Sequence, residues 1–173
     1  MEKIIKEIVR ALNENSENLK KSATETIKSI FAEKGKSLEF CTAAHSNKII
    51  NKDNYDEGEW LFDLVWYKMD VNDNQIMTEI PLVLESELSI IDYGGFKTDF
   101  DKLLVATSST KVFVTTNHYV EEKMKYTQKS IDKFIHFRNN EFLYLIVLDT
   151  SELEFSLYLF SKNQKPKKLL ITE

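Results

Sequence analysis

EWLFDLVWYK (59–68) and IPLVLESEL (80–88) are the two stretches from which the fold is read. The first is apolar on both sides of one acid, Asp63, which is the pattern of a strand buried on both faces with a carboxylate inside it. An ionised group buried without a partner is costly, so Asp63 must be paired, hydrogen-bonded or bound to a cation. The second stretch repeats the anomaly with Glu85 and Glu87. Residues two apart on a strand point to one face, which sets these two glutamates side by side about 7 Å apart. Antiparallel pairing across the 69–78 interval would bring Asp63 opposite or diagonal to Glu85, within about 5 to 8 Å. Three carboxylates so placed cannot all stay ionised unless a cation sits among them. Mg²⁺, with Mn²⁺ as its substitute, is the natural choice, because it takes about six oxygens and only one or two of them need be carboxylates. A divalent ion held this way neutralises charge on a scissile phosphate, as phosphodiester hydrolysis requires. The plainer alternative is that the three acids pair with lysines at a sheet edge.

Upstream, Ile4, Ile5, Ile8, Val9 and Leu12 recur at helical spacing. The polar run 13–18 breaks that helix, and a second begins near Ser22, which has capping-box spacing with Glu25, and runs to about Lys34 before Gly35 stops it. The period then becomes that of strands at 38–43, 59–68 and 80–88, with a polar loop over 47–58. A helix is expected over 98–108, capped by Thr98 or Asp99, with Phe100, Leu103, Leu104 and Thr107 on one face. A strand at 111–116, a helix at 121–137 and a strand pair at 142–149 and 154–160 complete the series, and the basic run 162–168 around Pro166 reads as a solvated terminus. The order gives an α/β fold with a mixed sheet flanked by helices.

A chain of 173 residues with 42% apolar content suits one domain spanning 1–173. The single cysteine, Cys41, cannot form an internal bridge, and no stretch approaches the ~20 apolar residues of a membrane span, so the expectation is a soluble cytoplasmic protein with no membrane partner. A net charge of -5 argues against a surface built throughout to attract nucleic acid, although acidic metal ligands lower that figure by themselves. Gly94 and Gly95 read as a plain turn. His45, His118 and His136 lack metal spacing, and Trp60, Trp66, Tyr67 and Cys41 read as core.

The segment from Trp60 to Val114, with Asp63, LVLESEL (82–88) and DFDKLLVATSSTKVFV (99–114), resembles small bacterial proteins of the PD-(D/E)XK superfamily over about a third of the chain. The resemblance implies a restriction-endonuclease-like core of helix, strand hairpin, helix and strand, with the hairpin acids as Mg²⁺ ligands for cleavage of DNA. Phe62 stands at the motif's proline, a common departure. Glu87 stands where the lysine of the (D/E)XK half-motif belongs. In relatives lacking that lysine, a second Glu occurs there or the lysine comes from the following helix, which makes Lys102 the candidate. On an amphipathic helix Lys102 would lie away from the Phe100, Leu103, Leu104 stripe, so a solvated lysine is the competing expectation. The superfamily often adds a glutamate from the N-terminal helix, and Glu25 and Glu33 are the available ones. The function implied is a Mg²⁺-dependent nuclease, in restriction or defence, for which symmetric cutting of duplex would need a homodimer or sequential nicking. The competing readings are a catalytically silent nuclease-like fold used for protein interaction, and an immunity-type acidic partner of unrelated fold.

Overall fold

A computed structural model describes residues 1–44, 61–73, 76–89 and 93–171; the loop expected over 47–58, His45 and Trp60 lie outside them. The described elements run α1 (Glu2–Glu14), α2 (Ser16–Ser37), β1 (Cys41–Ala44), β2 (Leu64–Met69), β3 (Met77–Glu87), α3 (Tyr93–Val105), β4 (Thr110–Thr116), α4 (Val120–Lys133), β5 (Phe142–Asp149), β6 (Glu154–Phe160) and β7 (Lys167–Leu169). The strands form one mixed sheet whose spatial order is their order in the chain. β1, β2 and β3 pair antiparallel, β3, β4 and β5 parallel, and β5, β6 and β7 antiparallel. Only the two parallel joins need helical crossovers, and α3 and α4 supply them.

The alternation of each strand divides the core in two. Leu64, Trp66, Leu82, Leu84, Val112 and Val114 pack with Ile5, Ile8, Ile27 and Phe31 of α1 and α2. Val65, Tyr67, Val83, Phe113 and Leu145 pack on the other side with Phe96, Phe100, Leu103 and Ile131 of α3 and α4. Helices therefore cover both faces, and every residue of the central strand β4 is buried. No helix among the described residues is long and apolar enough to cross a membrane.

Several expected boundaries move, each for a physical reason. Ser22, expected to start a helix, is a kink within α2 (φ -162°, ψ 81°). Gly35 does not stop α2, which continues to Ser37; it is small because the Trp66 indole lies against it, and a Cβ there would stand 2.6 Å from Trp66 Nε1. The indole N–H donates to the Phe31 carbonyl one turn earlier, at 3.0 Å, which fixes the approach. α3 starts at Tyr93 rather than at a Thr98 or Asp99 cap, so Gly94 and Gly95 are helical and not a turn, while Thr107 lies beyond the helix. The terminal run 162–168 is not wholly solvated: β7 pairs with β6 and buries Leu169.

Candidate active site

Glu85 lies near the C-terminal end of β3, in parallel register with Phe113 of β4 and on the face covered by α3. It is 2% exposed, and among the described residues no donor forms a hydrogen bond with its Oε1. Burial, and then the charge of Asp63, pushes its carboxyl up to about 8; Asp99 adds to the effect and Lys102 opposes it. Buried carboxyls with like-charged neighbours hold their proton in this way.

Asp63 immediately precedes β2. Continuing the Leu64–Leu84 register sets it across from Glu85. Its Oδ2 accepts the Ser86 backbone N–H at 2.8 Å and the Ser86 hydroxyl at 2.7 Å, which satisfies one oxygen and ties the start of β2 to β3. Lys102 reaches this pair from the last turn of α3. Its Nζ is 2.7 Å from Asp99 Oδ1 and 3.6 Å from the orphaned Glu85 Oε1, with the side chain 39% exposed. Asp99 chiefly, with Glu85 and Asp63 adding, holds the Lys102 ammonium protonated above its usual range. The amphipathic stripe pointed Lys102 towards water, but a four-carbon stem on a helix margin can bend its head back over the sheet.

Glu87 shares the β3 face with Glu85, yet its Oε1 accepts the Ser89 N–H at 2.6 Å and so folds towards the strand end. It pairs in register with Thr115 of β4. Lys123 of α4 donates to the Thr115 hydroxyl at 2.7 Å and to the Thr116 carbonyl at 3.3 Å, and lies 5.5 Å from the Phe96 ring centroid. Burial lowers the pKa of this ammonium, with the Glu87 charge opposing. Glu25 belongs to α2 and forms an ion pair with Lys28 at 2.9 Å, while Glu33 of the same helix is exposed. α2 packs on the opposite face of the sheet from Glu85, so the structure gathers Asp63, Glu85, Lys102 and Asp99 but not these two glutamates.

Two side chains of this arrangement were not singled out from the sequence. Asp99 was read as a cap, although its spacing to Lys102 is that of an ion pair on a helix. Lys123 gave a weaker signal: it falls in step with Thr127 and Ile131, the other buried residues of α4, but a lysine in a polar helix reads as solvated.

A divalent cation fits part of the set. Glu85 Oε1 is a buried oxygen without a hydrogen-bond donor, and Asp63 has an oxygen left after Ser86, which together are the one or two carboxylates Mg²⁺ requires. Among the described residues no three His, Cys, Asp or Glu side chains are grouped so as to hold a metal ion, so the expected ligand set of Asp63, Glu85 and Glu87 is not brought together. Comparison with protein families, with curated proteins and with solved structures gives no match to this chain.

Proposed function

We propose that this chain is a metal-dependent phosphodiesterase acting on nucleic acid, most simply a DNA nuclease of the restriction-endonuclease-like type. The observation that carries the reading is the Lys102 ammonium 3.6 Å from an orphaned, buried Glu85 oxygen with Asp63 beside it. Two acids and one cation at the end of a sheet make the minimal set for in-line attack on a phosphodiester. The order α2, a β2–β3 hairpin extended by β1, α3 and a parallel β4 supports the same reading, because the sequence resemblance implies a helix, a strand hairpin, a helix and a strand.

Asp63 and Glu85 would hold the cation, and Mg²⁺ or Mn²⁺ there would supply Lewis-acid polarisation of the scissile phosphate. Lys102, anchored by Asp99, would place a positive charge where the phosphorane develops its extra negative charge. Glu87 does not replace the missing half-motif lysine; the ammonium comes from α3.

A second reading, a silent interaction module with the same fold, is favoured by one observation: Asp63 Oδ2 is already engaged by Ser86. The test is cleavage of plasmid, single-stranded DNA and RNA with Mg²⁺ or Mn²⁺ by wild type and Glu85→Ala. Metal-dependent cleavage lost in Glu85→Ala is the expected result. Absence of cleavage by wild type on every substrate would transfer the conclusion to the silent module.

A further inference from the structure

Beside the starts of β4 and β5 lies a cavity of about 450 Å³ that neither Glu85 nor Lys102 lines. One wall is the chain leaving α3, Leu104 to Ser109, and the other is the loop that joins α4 to β5. Its volume falls within the range of small-molecule sites, about 300 to 1,000 Å³.

Both walls are fixed from behind. The Lys162 ammonium donates to the Phe134 and Phe137 carbonyls of the loop, at 2.9 Å each. On the other wall the Ser108 hydroxyl donates to the Thr110 carbonyl, and Lys111 Nζ to the Ser108 carbonyl, both at 2.9 Å. The Phe142 N–H donates to the Ser109 carbonyl at 3.2 Å and joins the two walls. A cavity held open in this way demands little ordering when a ligand enters.

The charges around it do not balance. Glu141 is the one acid among the described lining residues, and the buried Lys111 ammonium neutralises it at 2.6 Å. Arg138 also lines the cavity, is exposed, and forms no ion pair with a described residue. Burial first, and the Arg138 charge with it, lower the Lys111 pKa, while Glu141 opposes them. An anion beside Arg138 would relieve that repulsion. The rest of the lining is largely apolar: Val105 is 63% exposed, and His136 stands edge-on to Phe134 with 5.6 Å between ring centroids.

We propose that this cavity binds a small organic carboxylate, with its apolar body against Val105 and Phe134 and its carboxylate on the Arg138 guanidinium. The planar fork of an arginine matches a carboxylate through two parallel bonds. A bare inorganic anion would leave the apolar wall uncovered, and a neutral compound would leave the arginine unmatched. The site is separate from the Glu85–Lys102 pair and does not depend on how that pair is read.

The test is titration of the isotope-labelled full chain, followed by its amide NMR shifts, with benzoate, phenylacetate and hexanoate as probes. Acetate and the amide of each acid are the controls. At least one of the three carboxylates should saturate, with shifts concentrated at Ser109, Asn140 and Glu141. Acetate lacks the body and the amides lack the charge, so each should bind more weakly. Arg138→Gln should weaken the carboxylate about tenfold, the lower end for one charge-assisted bond because Arg138 is exposed, and should bring acid and amide close together. Urea unfolding of Arg138→Gln checks that the fold persists. The site is overturned by failure of all three carboxylates to saturate, by shifts centred elsewhere, including at Asp99 and Lys102, by equal binding to Arg138→Gln, or by an amide that binds as well as its acid.

Discussion

Glu85 makes the metal-free protein sensitive to pH in a direction opposite to that of most carboxylates. Its folded-state pKa of about 8 lies above the ordinary 4.5, so between those values the folded state binds the extra proton. Stability is therefore fully present below about pH 4.5 and declines as pH rises through 8. At about 1.4 kcal/mol per pKa unit, the gap corresponds to a few kcal/mol. In EDTA, Glu85→Gln should flatten this decline and be more stable than wild type at pH 8.5, as read by urea unfolding at several pH values; an unchanged slope would mean that Glu85 is ionised. Lys102 presents the opposite case, a residue whose removal costs little folding energy. Its ion pairs are partly exposed, so Lys102→Ala should change stability by no more than about 1 kcal/mol. Metal-dependent cleavage should fall roughly a hundredfold or more, since one preorganised charge commonly contributes a few kcal/mol to the transition state. Single-turnover kinetics on the preferred substrate would measure it, and undiminished cleavage would remove Lys102 from the site.

At the scale of elements, the contact between α2 and β2 depends on the absence of a single methyl group. Alanine at position 35 would gain about 1 kcal/mol of helix propensity, but overpacking a buried indole costs about 1–3 kcal/mol, and the Trp66 N–H bond to Phe31 resists its moving. Gly35→Ala should therefore be net destabilising, with a lower urea midpoint at unchanged slope. Elements of this kind mark the border of what the sequence revealed. The strands at 142–149 and 154–160 were legible because each is a local pattern of period two, whereas Asp63, expected inside a strand buried on both faces, is half-buried and stands just before β2. Gly35 was misread because the same residue that ends helices also admits a close neighbour, and its neighbour lies thirty-one positions away in the chain. β7 was missed because three residues, two of them lysines, carry no period of their own, and their strand character comes from pairing with β6. The arrival of Lys123 beneath β4 was likewise set by packing between elements, whereas Glu87 turns towards Ser89 through a local bond two residues along the chain.

For the whole molecule, ligand linkage gives a test independent of turnover. If Asp63 and Glu85 hold a divalent ion, millimolar Mn²⁺ should raise the melting temperature of wild type by roughly 3–5 °C and that of Glu85→Ala by much less. Equal shifts in the two proteins would place binding elsewhere. The order of the strands has a different consequence. Because neighbours in the sheet are neighbours in the chain, each pairing closes only a local loop, and the sheet can grow strand by strand as the chain leaves the ribosome. α1 cannot follow that schedule. It lies against β6, where the Phe155 N–H donates to Asn13 Oδ1 at 2.7 Å across 142 positions. The apolar stripe of Ile5, Ile8, Val9 and Leu12 can thus pack on α2 early, but its cover from β6 arrives only once the strand that carries Phe155 has been made.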